Sequence, residues 1–163
     1  MKFIAAIIAV ALAACLPASA VPASKGDVVA YLQRLGITEI NSNVADDRDR
    51  VDAVYDGLNF SVKMNFCAAD GGCNSVMFFT VLDTGRAETL ADYQRINYYN
   101  NGAIYGRAFV IPAKDGRTAS IGVDYVADLT PAGHSIDQVN FSNFVGAMTS
   151  FLSLWSQTTT PAP

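Results

Sequence analysis

The residues able to bind a metal, carry a redox step or staple the fold are few. They are three cysteines, one histidine and a run of aspartates. Cys67 and Cys73 lie in FCAADGGCN, a C-x5-C spacing. Thiol oxidoreductases use C-x-x-C, so the spacing does not favour a redox pair. A zinc site needs four ligands, and His134 is the single histidine available to two thiolates. Asp46, Asp47, Asp49 and Asp52 alternate with Arg48 and Arg50. A calcium loop would place carboxylates around a glycine and end in glutamate. That order is absent, so a solvated turn with local ion pairs is expected.

The meaning of the cysteine pair depends on the compartment. The chain opens MKFIAAIIAVALAACLPASA: Lys2, an apolar run to Leu16, then Ala18-Ser19-Ala20. This is the pattern of a secretory signal peptide over residues 1–20. The run falls short of the roughly 20 apolar residues of a membrane-spanning helix, and no later segment approaches that length. Leu12-Ala13-Ala14-Cys15 also has the form of a lipobox, in which Cys15 would be lipidated. Cleavage after Ala20 is the favoured reading, with a lipid anchor on Cys15 as the alternative. A periplasmic or secreted location follows. Two cysteines then remain in an oxidising compartment, and a Cys67–Cys73 disulfide is expected.

No G-x-S-x-G elbow, H-E-x-x-H helix, phosphate-binding glycine loop or dinucleotide fingerprint is present. His134 lies between Gly133 and Ser135, in an expected loop. Neither an enzyme nor a cofactor is expected. The net charge is −4 and no basic cluster occurs, which argues against nucleic acid as a partner.

The elements that must position these residues read as follows. Ser24-Lys25-Gly26-Asp27 is a capping box opening a helix over 25–35. Residues 37–43 are a connection or a short strand. Residues 51–55 alternate and end at Asp56-Gly57, a hairpin turn signal. Phe60, Val62, Met64 and Phe66 share the inner face of the next strand. Residues 75–82 return, with Cys67 and Cys73 at the hairpin mouth. A second helix spans 87–100, ended by Asn101-Gly102. Strands cover 105–111 and 118–125. Ser135 to Gln138 caps a last helix with an apolar stripe through Phe141, Phe144, Val145, Met148, Leu152 and Trp155. The expected class is α+β, an antiparallel sheet with helices packed on it, in the order α-β-β-β-α-β-β-α. A single domain is expected over 24–157, with a disordered tail at 158–163.

Two short stretches carry a family resemblance. Arg95-Ile96-Asn97-Tyr98-Tyr99-Asn100, followed by Tyr105-Gly106-Arg107-Ala108-Phe109-Val110, resembles the signature of the YbjN family. In that family a helix ends Ile-Asn-x-Trp-Asn and a strand opens Gly-Arg-Ala-Tyr. Ile96, Asn97, Asn100, Gly106, Arg107 and Ala108 match, whereas Tyr99 and Phe109 depart. The resemblance implies a fold like that of type III secretion chaperones. It also implies a sensory transduction regulator or chaperone-like, protein-binding role, and a tendency to homodimers. It does not imply a reaction.

Read from the residues alone, Leu90, Tyr93, Ile96, Asn97 and Asn100 share one face of the second helix. Glu88, Asp92 and Arg95 share the other. Asn97 and Asn100 should then face the sheet and bond to the backbone near Tyr105. Tyr98, Tyr99 and Tyr105 form a candidate aromatic patch for a protein partner, with Arg107 beside it. The functional expectation is a non-enzymatic envelope module that binds a protein. The alternatives are a small-molecule sensor with a pocket between the sheet and the last helix, and a structural lipoprotein held through Cys15.

Overall fold

A computed structural model describes residues 23–45, 47–114, 116–130 and 135–157. Residues 1–22 with Cys15, Asp46, Asp115, residues 131–134 with His134, and residues 158–163 lie outside the described residues. The elements are α1 (Lys25–Arg34), β1 (Ile40–Asn41), β2 (Arg50–Tyr55), β3 (Leu58–Cys67), β4 (Cys73–Asp83), α2 (Leu90–Gly102), β5 (Arg107–Ile111), β6 (Ser120–Asp128) and α3 (Gln138–Ser156). They form an α+β fold on one six-stranded antiparallel sheet, ordered β1-β2-β3-β4-β6-β5. The short strand β1 joins the expected order because Ile40 and Asn41 pair with Ala53 and Asp52.

Local chemistry explains the elements that were placed well. The Ser24 hydroxyl accepts from the Asp27 N–H while the Asp27 carboxylate accepts from the Ser24 N–H at 2.8 Å. Asp56 and Gly57, at φ 50° and 74°, make the tight β2–β3 turn, for which positive φ at both central positions is needed. Lys63 pairs with Asp47 and Arg50 with Asp52 at 2.6 Å, so the described part of the acidic stretch, the turn before β2 and the start of that strand, is ion-paired.

The helices cover one side of the sheet. Phe141 and Phe144 of α3 lie 5.7 Å from Phe60 (both rings) and 6.2 and 5.7 Å from Phe78. Val51, Val62, Phe78 and Tyr125 form one inner row across β2, β3, β4 and β6. These phenylalanines fill the space between the sheet and α3, where the sequence had suggested a ligand pocket.

Three expectations are corrected. Phe66 does not continue the inner face of β3. Its φ of 54° turns the ring outward, to 81% exposure. The cap of α3 is Asp137, bonded reciprocally with Asn140, and Ser135 is exposed upstream of it. Helix α2 starts at Leu90, because extended Thr89 is its N-cap and donates its N–H to the Asp92 carboxylate at 2.8 Å, and it runs through Gly102.

Candidate functional site

Helix α2 sets the site. Asp92, in its first turn, is buried and accepts from Arg86 at 2.7 and 2.8 Å. The same carboxylate accepts from the Thr89 N–H and hydroxyl at 2.8 and 2.9 Å. Hydrogen bonding from Arg86 pulls its pKa from the usual 3.8 down to about 2. With its charge satisfied, Asp92 can turn inward, and α2 presents Asp92, Ile96 and Tyr99 to the core.

That rotation differs from the expected one. Leu90, Tyr93 and Asn97 face solvent, so Asn97 does not anchor the helix to the sheet. Tyr99 is 7% exposed, and burial raises its pKa. Its hydroxyl donates to the Ala147 carbonyl of α3 at 2.9 Å, and its ring meets Phe151 edge-on at 5.7 Å. Arg95 lies 5.0 Å from the Trp155 ring. Tyr99 therefore leaves the candidate contact surface and becomes its support.

The end of α2 is fastened to β5. The Asn100 amide donates to the Ala108 carbonyl at 3.0 Å and accepts from the Ala108 N–H at 2.8 Å. This replaces a strand partner on the sheet edge. Gly106 turns the chain into β5 at φ 75°. A Cβ there would meet the Asp124 carbonyl at 2.6 Å and the Ala147 Cβ at 2.8 Å. Ile96, Asn100 and Gly106 thus form the frame of the α2–β5 connection.

An open apolar groove of about 780 Å³ results between α2, this connection and α3. Tyr98 and Tyr99 line it from α2, Ile104 and Tyr105 from the connection. Gly146, Ala147, Ser150 and Leu154 line it from α3. Tyr98 is 71% exposed, Ile104 87% and Tyr105 49%. The Tyr105 ring is steadied edge-on against Tyr125 at 6.4 Å. Arg107 lies outside this lining. It sits on the other side of the sheet and pairs with Asp124 at 3.2 Å.

Ile104 and the small residues of α3 were not singled out from the sequence. An apolar residue between Asn101-Gly102 and Gly106, in a loop, was the available signal for Ile104. Cys67 and Cys73 are paired across β3 and β4 with an S–S distance of 2.11 Å. Ala23 bridges to Cys73, so the chain enters the fold against this hairpin. Among the described residues no group of three or more His, Cys, Asp or Glu is placed to hold a metal, and no helix is long and apolar enough to cross a membrane.

No family model matches the sequence, and neither does any curated protein. A solved structure does match: YbjN of E. coli, described as a candidate transcription regulator. The TM-score is 0.55 at 12% identity, over 81% of this chain and 87% of that one. The fold is therefore YbjN-like.

Proposed function

We propose that this chain is a non-enzymatic, protein-binding module of the bacterial envelope, which holds its partner on the groove between α2 and α3. The observation carrying this reading is the Tyr98, Ile104 and Tyr105 cluster, three large apolar side chains in solvent above a floor of small residues. Such clusters suit protein contacts, in which aromatic anchors supply area at low entropic cost. The frame beneath is braced, with Tyr99 bonded to Ala147, Asn100 bonded to Ala108, and Gly106 allowing close approach to Asp124 and Ala147. A braced site lowers the ordering cost of binding.

The signal-like N-terminus and the Cys67–Cys73 pair support export to an oxidising compartment. Transcription regulation, the role ascribed to the E. coli neighbour, is not favoured here. The net charge is −4, and Lys63 and Arg107 are neutralised by Asp47 and Asp124. A second reading, a sensor for a small apolar ligand, draws on the groove volume, which lies within the range of ligand sites.

Mild crosslinking of cells, followed by purification, tests the leading reading. A partner recovered with the native chain and lost with Tyr98→Ser/Ile104→Ser supports it. Full recovery with that variant refutes the groove as the contact. A rise in melting temperature with a small apolar compound, and no protein partner, would favour the sensor.

A further inference from the structure

The groove between α2 and α3 opens where the last helix ends. The two helices run antiparallel: Arg95 meets Trp155, and further along Tyr99 meets Phe151 and then Ala147. The Arg95 guanidinium donates to the Trp155 carbonyl at 3.2 Å. Tyr98, Tyr99 and Gly102 follow Arg95 by three, four and seven positions, so all four share one face of α2. The end of α3 is thereby fastened at one end of the α2 face that walls the groove. Leu154 is the last lining residue on α3, and Gln157 caps that helix in extended geometry, at φ −71° and ψ 111°. The chain leaves the described fold at the mouth of the groove.

What leaves is Thr158-Thr159-Thr160-Pro161-Ala162-Pro163. Its chemistry matches the groove. Among the described lining residues none carries a charge, and none of these six does. Threonine is branched at Cβ and favours extended backbone, and the residue before each proline is pushed the same way. Proline-rich segments are preformed polyproline II strands, which dock in aromatic-lined grooves. Pro161 and Pro163 have no N–H, so covering them with apolar surface strands no donor.

The lengths agree as well. A polyproline II strand advances about 3.1 Å per residue, which puts Pro161 about 12 Å and Pro163 about 19 Å beyond Gln157. Along α3, at about 1.5 Å per residue, Ser150 lies about 10.5 Å and Gly146 about 16.5 Å back from Gln157. A strand that reverses after Gln157 therefore brings Pro161 level with Ser150 and Pro163 level with Gly146, with about 2 Å left for the reversal. Exposed Tyr98 stands at that level, because its neighbour Tyr99 bonds Ala147.

We propose that residues 158–163 fold back as an extended strap along the groove between α2 and α3, with Pro161 and Pro163 against its tyrosines, and that a partner gains the groove by displacing them. A segment tethered this closely acts at an effective concentration on the order of millimolar, so a contact too weak to hold a free peptide still fills the groove. Seating of the strap needs no partner. Its regulatory consequence rests on the groove being the partner site proposed above.

Photo-crosslinking within the purified full chain, at dilution, tests the seating. A photoreactive residue at Ile104 should give an intrachain adduct with residues 158–163, identified by mass spectrometry after digestion. The same residue at exposed Gln33 on α1 should give none. Pro161→Glu/Pro163→Glu should lower the adduct yield at least about fivefold, because an uncharged groove does not solvate carboxylates, with the circular dichroism spectrum unchanged. In cells, the same double variant should raise recovery of the crosslinked partner. No intrachain adduct from position 104 overturns the proposal. So does an adduct indifferent to the two glutamates, or an adduct between two chains in its place, which would assign the groove to a second copy. Partner recovery that the glutamates leave unchanged overturns the displacement. Failure of the groove as the partner site reads differently: full recovery with Tyr98→Ser/Ile104→Ser while the intrachain adduct persists in the otherwise unaltered chain.

Discussion

Replacing Asp92 with Asn should reveal how the site is held. The carboxylate accepts four hydrogen bonds, two from Arg86 and two from Thr89, while its side chain is 4% exposed. Asparagine keeps one acceptor oxygen and turns an N–H group towards donors. The depression from 3.8 to about 2 corresponds to about 2 kcal/mol between the ionised and neutral forms. Arg86 is half exposed, and screening reduces its share. Loss of the reach back to Thr89 adds up to about 1 kcal/mol. The expected cost at pH 7 is about 2 kcal/mol. The pH dependence has a definite sign. The folded pKa of Asp92 is below its unfolded value, so its contribution is complete above about pH 4 and disappears as pH falls towards 2. Urea unfolding followed by circular dichroism, at pH 7 and in steps from pH 4 to 2, measures both. The variant should be less stable at pH 7, and the gap to wild type should close as pH falls through that window. An unchanged midpoint at pH 7, or a gap that stays constant down to pH 2, would refute the role given to this carboxylate.

Gly106→Ala should destabilise by about 3 kcal/mol, because a left-handed backbone and a clash with Asp124 and Ala147 coincide there; urea unfolding measures it. Cys67→Ser/Cys73→Ser should lower stability by about 2 kcal/mol, the chain-entropy contribution of so short a ring. An unchanged unfolding midpoint would refute that contribution. Tyr98→Ser/Ile104→Ser should change stability by less than about 0.5 kcal/mol, since both side chains stand in solvent, while partner recovery is lost.

The sequence was most legible where one local rule decides. The Ser24/Asp27 box, the Asp56-Gly57 turn and the alternation of Phe60, Val62 and Met64 each carry their own signal. Helix α2 has such a signal only for its start, in Thr89 and Asp92, and none for its rotation. Its inward face includes an aspartate, which burial permits only because Arg86, outside the helix, neutralises it. Periodicity therefore aligned Leu90 and Tyr93 with the core, placing Asn97 inward and Tyr99 outward. Asn100 was read correctly as bonding to the β5 backbone, because an amide at a helix end beside a strand has few other uses. Phe66 followed the strand period until a left-handed residue broke it. The apolar residues on the side of the sheet away from the helices went unread because Ser61, Lys63 and Asn65 on β3 look like a solvated side. The run from Val76 to Leu82 on β4 is largely apolar on both faces, and only the register places its outer half in one patch.

The contact assigned to the groove between α2 and α3 can be tested directly by photo-crosslinking in cells. A photoreactive residue would be introduced in turn at Tyr98, at Ile104 and at Gln33, an exposed position on α1. Adducts of the same mass from positions 98 and 104, absent from position 33, are the predicted result. No adduct at 98 or 104, or the same adduct from all three positions, would contradict it.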